Sequence, residues 1–306
     1  MLERSPLPPR RGLDAAKLRT PDRNKGPSSP WRTMGEWLTE RVPANVPVAD
    51  MIARGDFVYS SGAAVLADDA YRPHTLIWFY REEVEEPEVP GRIDIVYEDD
   101  KILIVDKPPF LATMPRGSHV RQSVVVRLRF ELGLPELAPM HRLDKDTSGL
   151  LALTKERRWR GAYQSLFERG AVSKTYWALA NESSHLSFPI TVRNHIAKNR
   201  GELQARVIPG LPANSETLIE RESTCGRYGL YRLTPRTGKT HQLRVHLSHV
   251  GIPIMGDWLY PTVRDRALTD FSQPMQLLAG ELSFTDPYSG EKRHWASKRT
   301  LPIQSE

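Results

Sequence analysis

The chain has 306 residues, 39% hydrophobic and 26% charged, with a formal charge of +6 and a single cysteine, Cys225. One cysteine excludes an internal disulfide framework and a cysteine-based zinc site and suits a reducing compartment. No apolar run approaches the ~18 residues of a membrane span, and no apolar segment of signal-peptide type stands at the N-terminus, so a cytoplasmic protein is expected.

Residues 1–30 carry +4 of that charge, with six prolines and almost no large apolar side chains. They read as a disordered basic arm that adds salt-sensitive, sequence-independent attraction to nucleic acid. From Trp31 the composition turns globular. Helices are predicted over Met34–Arg41 and Val48–Arg54, and short strands over Phe57–Ser60, Ala64–Leu66 and Thr75–Tyr80, giving a small module over 31–81. The acidic, proline-punctuated EEVEEPEVP (Glu82–Pro90) marks residues 82–92 as a linker, and 93–306 form the main body.

In that body Ile93–Tyr97 and Lys101–Asp106 read as strands joined at Asp99-Asp100, the second stopped by Lys107-Pro108-Pro109. A helix over Arg121–Leu132 ends at Gly133, and Leu150–Thr154 is a short buried strand. Arg157–Arg169 sets Trp159, Ala162, Tyr163, Leu166 and Phe167 at helical spacing, with Gly170 as the stop. Val172–Ala180 alternates, with Lys174, Tyr176 and Ala178 on one side and Trp177 and Leu179 on the other. A last helix is predicted over His241–Val250, with Thr240 as N-cap and Gly251 closing it. Strands and helices do not alternate regularly. The expected fold class is therefore α+β, a mixed, mostly antiparallel central sheet with flanking helices.

The segment that concentrates chemistry is HRLDKDTSG, His141–Gly149. As a metal site it would need converging ligands, and Arg142 and Lys145 beside Asp144 and Asp146 oppose a cation, so no metal is expected. As an aspartyl-phosphate loop it would follow a buried parallel strand, whereas LPELAPM with its two prolines precedes it. As a turn, Asp144 and Asp146 would cap backbone N–H groups while Arg142 pairs with them. Read by itself, the loop leaves these alternatives open.

HRLD-x-x-TSG resembles the signature of the RluA-type pseudouridine synthases, and further elements follow in order. IVYEDDKILIVDKPP is similar to the family's opening hairpin with its Lys-Pro end, and Lys174-Thr175-Tyr176 to its K-x-Y strand. TGKTHQLRVHLSHVGIPIMGDWLY (Thr237–Tyr260) is similar to the T-G-R-T-H-Q block and G-D-x-x-Y tail, with Lys239 where arginine is common, and LLAGELSFTDPYSGE to the closing segment. The module over 31–81 resembles an S4-like RNA-binding domain in position and size.

The resemblance implies isomerisation of a uridine in ribosomal or transfer RNA by a monomer needing no cofactor. Asp144 would be the nucleophile, ionised without an activating base. Tyr176 would stack on the extruded uracil and move the C5 proton, and Arg244 would pair with Asp144. Arg142 would enter the stack in place of the flipped base. His141, His241 and Gln242 would line the same cleft, with Lys107 and Lys174 completing the substrate-binding set. Arg116, Arg121, Lys145, Lys155, Lys174, Lys198 and Arg200 are candidates for phosphate contacts. An RNA-binding protein that had lost catalysis would show a gap at the Asp, Tyr or Arg position, and all three are occupied. His246 and His249 are expected on the helix surface.

Overall fold

The structure, a computed structural model, describes residues 5–22, 31–44, 46–81, 86–115 and 120–301. They divide into two compact units, Met1–Glu85 and Glu86–Glu306.

The small unit is a three-stranded sheet, β1 (Ala16–Arg19), β2 (Val58–Tyr59) and β3 (Leu76–Phe79), with β3 in the middle, and two helices, α1 (Met34–Arg41) and α2 (Val48–Ala53). A capping box starts α1. The Thr33 hydroxyl accepts from the Glu36 N–H at 3.2 Å, and the Glu36 carboxylate accepts from the Thr33 N–H at 3.4 Å. Such a cap stabilises a helix by about 1 kcal/mol. Met34, Trp37 and Leu38 then bury against Met51, Phe57 and Ile77. The expected disordered arm is corrected over 5–22, since β1 pairs antiparallel with β3 from Ala16–Phe79 to Arg19–Leu76. Ala16 and Leu18 pack on the core while Lys17 and Arg19 face out. Residues 1–4 and 23–30 lie outside the described residues. The strand expected over Ala64–Leu66 reduces to one bridge, Val58 to Ala64.

The large unit is built on a ten-stranded sheet. Its strands are β4 (Asp94–Glu98), β5 (Ile102–Lys107), β6 (Ala138–Pro139), β7 (Ser148–Thr154), β8 (Val172–Asn181), β9 (Ile190–Asn194), β12 (Ser215–Cys225), β13 (Tyr228–Pro235), β14 (Leu277–Thr285) and β15 (Lys292–Ala296). The ribbon β10 (Ile196–Ala197) and β11 (Arg206–Val207) stands apart from it. The sheet runs β4-β5-β7-β14-β8-β13-β12-β9, with β15 on β14 and β6 on β7. Only β7 and β14 pair in parallel, so the sheet is mixed and mostly antiparallel as expected. The helices α3 (Val124–Glu131), α4 (Arg157–Glu168) and α5 (Gln242–His249) flank it.

β5 and β7 are buried along their whole length, and alternation explains why. Leu103, Val105, Leu151 and Leu153 pack toward Val125 and Leu128 of α3. Ile102, Ile104, Leu150 and Ala152 pack on the other face toward Tyr163 and Leu166 of α4. Gly170 (φ +68°) and Gly251 (φ +86°) close α4 and α5 with paired backbone bonds, such as Ala171 N–H to Leu166 C=O at 2.8 Å and Ile252 N–H to Leu247 C=O at 3.0 Å. Residues 86–92 belong to this unit and do not form a free linker. The Glu86 carboxylate accepts from the N–H groups of Val120, Arg121 and Gln122 at 2.8–3.0 Å, and Val89 is buried in the core. Among the described residues no helix is long and apolar enough to cross a membrane.

Candidate active site

Three segments meet at one end of the β7-β14-β8 centre of the sheet. They are the loop entering β7, the middle of β8 and the turn entering α5, and they line a cavity of about 370 Å³ that holds His141, Arg142, Asp144, Lys174, Tyr176, His241 and Arg244.

The loop is held rigidly. Gly149 lies at φ +105°, and a Cβ there would stand 2.3 Å from the Ala279 carbonyl oxygen, so only glycine lets β7 reach β14. Thr113 clamps Leu143, accepting from its N–H at 3.2 Å and donating to its carbonyl at 2.8 Å. The Trp258 indole donates to Asp146 at 2.9 Å, and Arg266 stands 3.7 Å from the same carboxylate. Lys107 is buried and donates to the carbonyls of Pro108, Leu111 and Lys145 at 2.9–3.0 Å. Burial pulls its ammonium down to about 7, while three carbonyls match the three N–H bonds of the charged form. This corrects the expectation that Lys107 binds substrate, because every donor is spent on backbone carbonyls of its own turn and of the Asp144 loop.

Asp144 sits at the cavity floor with its side chain 29% exposed, against 2% for Arg244 and 0% for Asp257 behind it. Arg244 donates to Asp144 at 3.3 Å and grips Asp257 with two bonds of 2.7 Å. Asp257 also accepts from the N–H groups of Leu259 and Tyr260. Burial opposes ionisation of Asp144, but the His241 position, the Arg244 charge and hydrogen bond, and Lys198 outweigh it and hold the carboxyl below its usual range. Burial in turn pushes His241 down to about 4, so near neutral pH the guanidinium and Lys198 exert that pull. Arg244 is raised further above its usual value, its two bonds to Asp257 outweighing desolvation. Tyr176 is pushed up by burial and then by the Asp144 charge, so it is a phenol at rest, and no described residue hydrogen-bonds its hydroxyl.

Arg142 is exposed on the cavity rim and forms no ion pair with Asp144 or Asp146. His141 and Lys174 line the wall, with the His141 ring stacked on Phe167 at 4.6 Å and its Nε2 accepting from the Ala152 N–H. Gln242 also borders the cavity, yet its amide is spent. Its oxygen accepts from Thr237 and the Lys239 N–H, and its nitrogen donates to the Glu216 carbonyl and Thr217. Gln242 therefore fastens the turn instead of meeting substrate. The helix begins one residue later than expected, with His241 rather than Thr240 at the N-cap, in the left-handed region at φ 57°. His246 is buried, not on the surface, and bonds Thr217, Asn194 and Ser215 at 2.9–3.1 Å. Lys155 is committed to Glu98 and the Asp99 carbonyl, and Arg116 lies outside the described residues. Asp257 is a site residue not expected from the sequence. Its signal was the GD pair, since Gly256 (φ +72°) packs 2.5 Å from the Pro274 carbonyl if given a Cβ, which pins the turn carrying Asp257.

Burial pushes His141 to about 3 and His246 to about 4, as it does His241. All three are neutral when folded at pH 5–6, whereas the unfolded chain takes up protons near its reference value of ~6.5. The unfolded state binds more protons there, so stability is full above pH ~6.5 and falls as pH drops toward about 4. The urea midpoint should decline steadily from pH 7 to 5; a flat profile over that range would contradict the buried neutral imidazoles.

The α+β sheet thus presents an aspartate paired to a buried arginine in a polar cleft. Residues 101–249 match the family model described as RNA pseudouridylate synthase. The chain is 34% identical over 227 residues to the dual-specificity RNA pseudouridine synthase RluA of Vibrio parahaemolyticus, covering 68% of this chain and 82% of that protein. It is 30% identical over 216 residues to tRNA pseudouridine synthase C of Vibrio vulnificus, covering 65% and 88%. Among solved structures, human RNA pseudouridylate synthase domain containing 1 superposes with a TM-score of 0.55 at 26% identity, covering 70% of this chain and 86% of that one. The chain belongs to the RNA pseudouridylate synthase family, and it is an RNA-modifying isomerase.

Proposed function

We propose that the enzyme converts a particular uridine of structured ribosomal or transfer RNA to pseudouridine, as a cytoplasmic monomer without a cofactor, with Asp144 as the nucleophile. The observation that carries this reading is the Asp144 carboxylate, largely buried yet open to the cavity and kept anionic by Arg244 at 3.3 Å. In the isomerisation the N1–C1′ bond breaks, a C5–C1′ bond forms, C5 gives up a proton and N1 gains one. The balance needs neither oxidant nor energy source. Attack of Asp144 at ring C6 or at ribose C1′ serves equally to free the ring for rotation.

A base stacked in RNA cannot reach a recessed carboxylate, so the nucleotide turns out into the cavity. Arg142, exposed and unpaired to the neighbouring carboxylates, would stack its planar guanidinium where the base was. Tyr176 offers its ring to the extruded uracil. Its hydroxyl stays protonated while Asp144 is charged, and covalent capture of that charge removes part of the penalty on the phenolate. Tyr176→Phe should keep RNA affinity within about threefold and lose about 10²-fold or more in rate, the usual worth of a proton-transfer group. A full rate in single-turnover assays would show that the ring alone matters. The small unit, with Lys17 and Arg19 on the outer face of β1, is proposed as an S4-like contact to RNA backbone.

Mapping pseudouridines in total RNA from a strain lacking the gene tests the whole reading. One site should vanish and return with the wild-type chain but not with Asp144→Asn. If no site changes, the reading fails.

A further inference from the structure

His241 is the one cavity residue whose backbone is strained, and its ring is held by contacts that decide which nitrogen carries the proton. It sits at φ 57° and ψ 20°, a conformation disfavoured for a side chain of its size, at the point where the chain turns into α5. Its Nδ1 lies 2.9 Å from the Tyr260 hydroxyl. That hydroxyl has one proton. It donates to the Ala205 carbonyl at 3.0 Å and accepts from the Ala205 N–H at 2.7 Å, and Ala205 is sealed from water at 1% exposure. With its proton so used, the Tyr260 oxygen can only accept from His241, so Nδ1 carries the hydrogen. The other side of the ring agrees. The Lys198 ammonium, which has donors only, lies 3.5 Å from Nε2, a distance that suits an acceptor there but is too long to hold its one lone pair in a full hydrogen bond, so the lone pair stays open to a closer donor. Nε2 is therefore an acceptor, and it stands 4.0 Å from the Asp144 Oδ2.

Two acceptors at that separation want a donor between them. A uridine within an RNA chain has two, the ring N3–H and the ribose 2′-hydroxyl, because its 3′ and 5′ oxygens are phosphodiesters. N3–H lies across the ring from C6 and points away from C1′. An acceptor in line with it would stand a ring width plus a hydrogen bond of about 2.9 Å from the nucleophile, well beyond the observed gap. The 2′-hydroxyl is on the carbon next to C1′, and an acceptor for it falls naturally beside a carboxylate aimed at C1′ or C6.

We infer that His241, fixed as the Nδ1–H tautomer, accepts a hydrogen bond from the 2′-hydroxyl of the target nucleotide and so makes the site read RNA against DNA at the reacting sugar. The inference rests on Asp144 being the nucleophile. It gives His241 a role distinct from that of Arg244, which acts on the carboxylate and not on the sugar. The left-handed backbone is then the cost of turning the imidazole edge to the substrate while Gln242 enters the helix.

The test is a cycle between enzyme and substrate, using a synthetic RNA hairpin around the mapped uridine with either uridine or 2′-deoxyuridine at that position. Wild type should act about 10- to 100-fold more slowly on the 2′-deoxy hairpin, the worth of a hydrogen bond to an otherwise unpaired polar group. His241→Phe keeps the ring volume without the acceptor. It should lose a similar factor on the uridine hairpin and show almost no further loss on the 2′-deoxy one, while His241→Gln, which retains an acceptor, should keep part of the discrimination. Undiminished discrimination in His241→Phe overturns the inference. Should that variant be too slow to follow, the same cycle is read as Kd on an Asp144→Asn background. There the preference for the ribose hairpin should disappear on adding His241→Phe, and its persistence again overturns the inference. Wild type that makes no pseudouridine in any RNA brings down the reading of the site itself and this inference with it, whereas an active wild type with unchanged discrimination in the variants brings down this inference alone.

Discussion

Asp144→Asn should abolish pseudouridine formation while leaving RNA affinity and the fold almost intact. The substitution keeps the shape of the side chain and removes the carboxylate proposed to form and break the bond to carbon. Losing a nucleophile costs a rate factor of at least about 10³ and commonly much more. The fold should tolerate the change because Arg244 keeps both of its bonds to Asp257, so no buried cation loses its principal partner. The informative measurement is single-turnover isomerisation together with binding to the same RNA. A variant that binds and turns over within tenfold of wild type would remove Asp144 from the chemistry. A variant that neither binds nor folds would make the carboxylate a structural element of the loop.

Much of this site could be read before the fold, for a physical reason. A motif such as His141–Gly149 is short-range, and its residues meet in space because a tight turn brings them there. Asp144, Tyr176 and Arg244 each stood in such a local block. What could not be read is what each polar group bonds at long range. Lys107 looked like a substrate ligand, yet three carbonyls from its own turn and from the Asp144 loop absorb its ammonium. Gln242 and His246 looked available or exposed, yet both are consumed by the inward hydroxyls of β12. The same pairing hid that strand. Ser215, Thr217 and Ile219 point inward, and with hydroxyls at two of three inward positions the apolar alternation that marks a strand is masked. At the N-terminus, β1 is four residues with two small alternating apolar contacts, too weak a pattern to show through a proline-rich, basic composition. The fold class was legible because β5 and β7 are continuous apolar runs, α4 carries a clear helical spacing, and strands and helices do not alternate regularly along the chain.

Asp257→Asn should destabilise the large unit and, separately, alter how Asp144 titrates. Asp257 is fully buried and neutralises a guanidinium that is itself buried, so removing its charge strands Arg244 with one weaker partner. Breaking a buried pair from one side costs about 3–5 kcal/mol, which for a domain of this size lowers the melting temperature by roughly 6–20 °C. The second effect follows from charge. In the wild type the field of Arg244 at Asp144 is partly cancelled by the Asp257 carboxylate; without it the guanidinium pulls harder on Asp144. Asp144 then binds protons less readily and, as the proposed nucleophile, is also less reactive, so the acid limb of the pH–rate profile should move to lower pH while the plateau falls about 10- to 100-fold per folded molecule. A residue that merely held the fold together would lower the melting temperature and leave both the limb and the plateau of the folded fraction where they were. That outcome would reduce Asp257 to an anchor. The expected one makes it the residue that sets how tightly Arg244 holds Asp144, close enough to keep it anionic and loose enough, at 3.3 Å against 2.7 Å, for it to act as the proposed nucleophile.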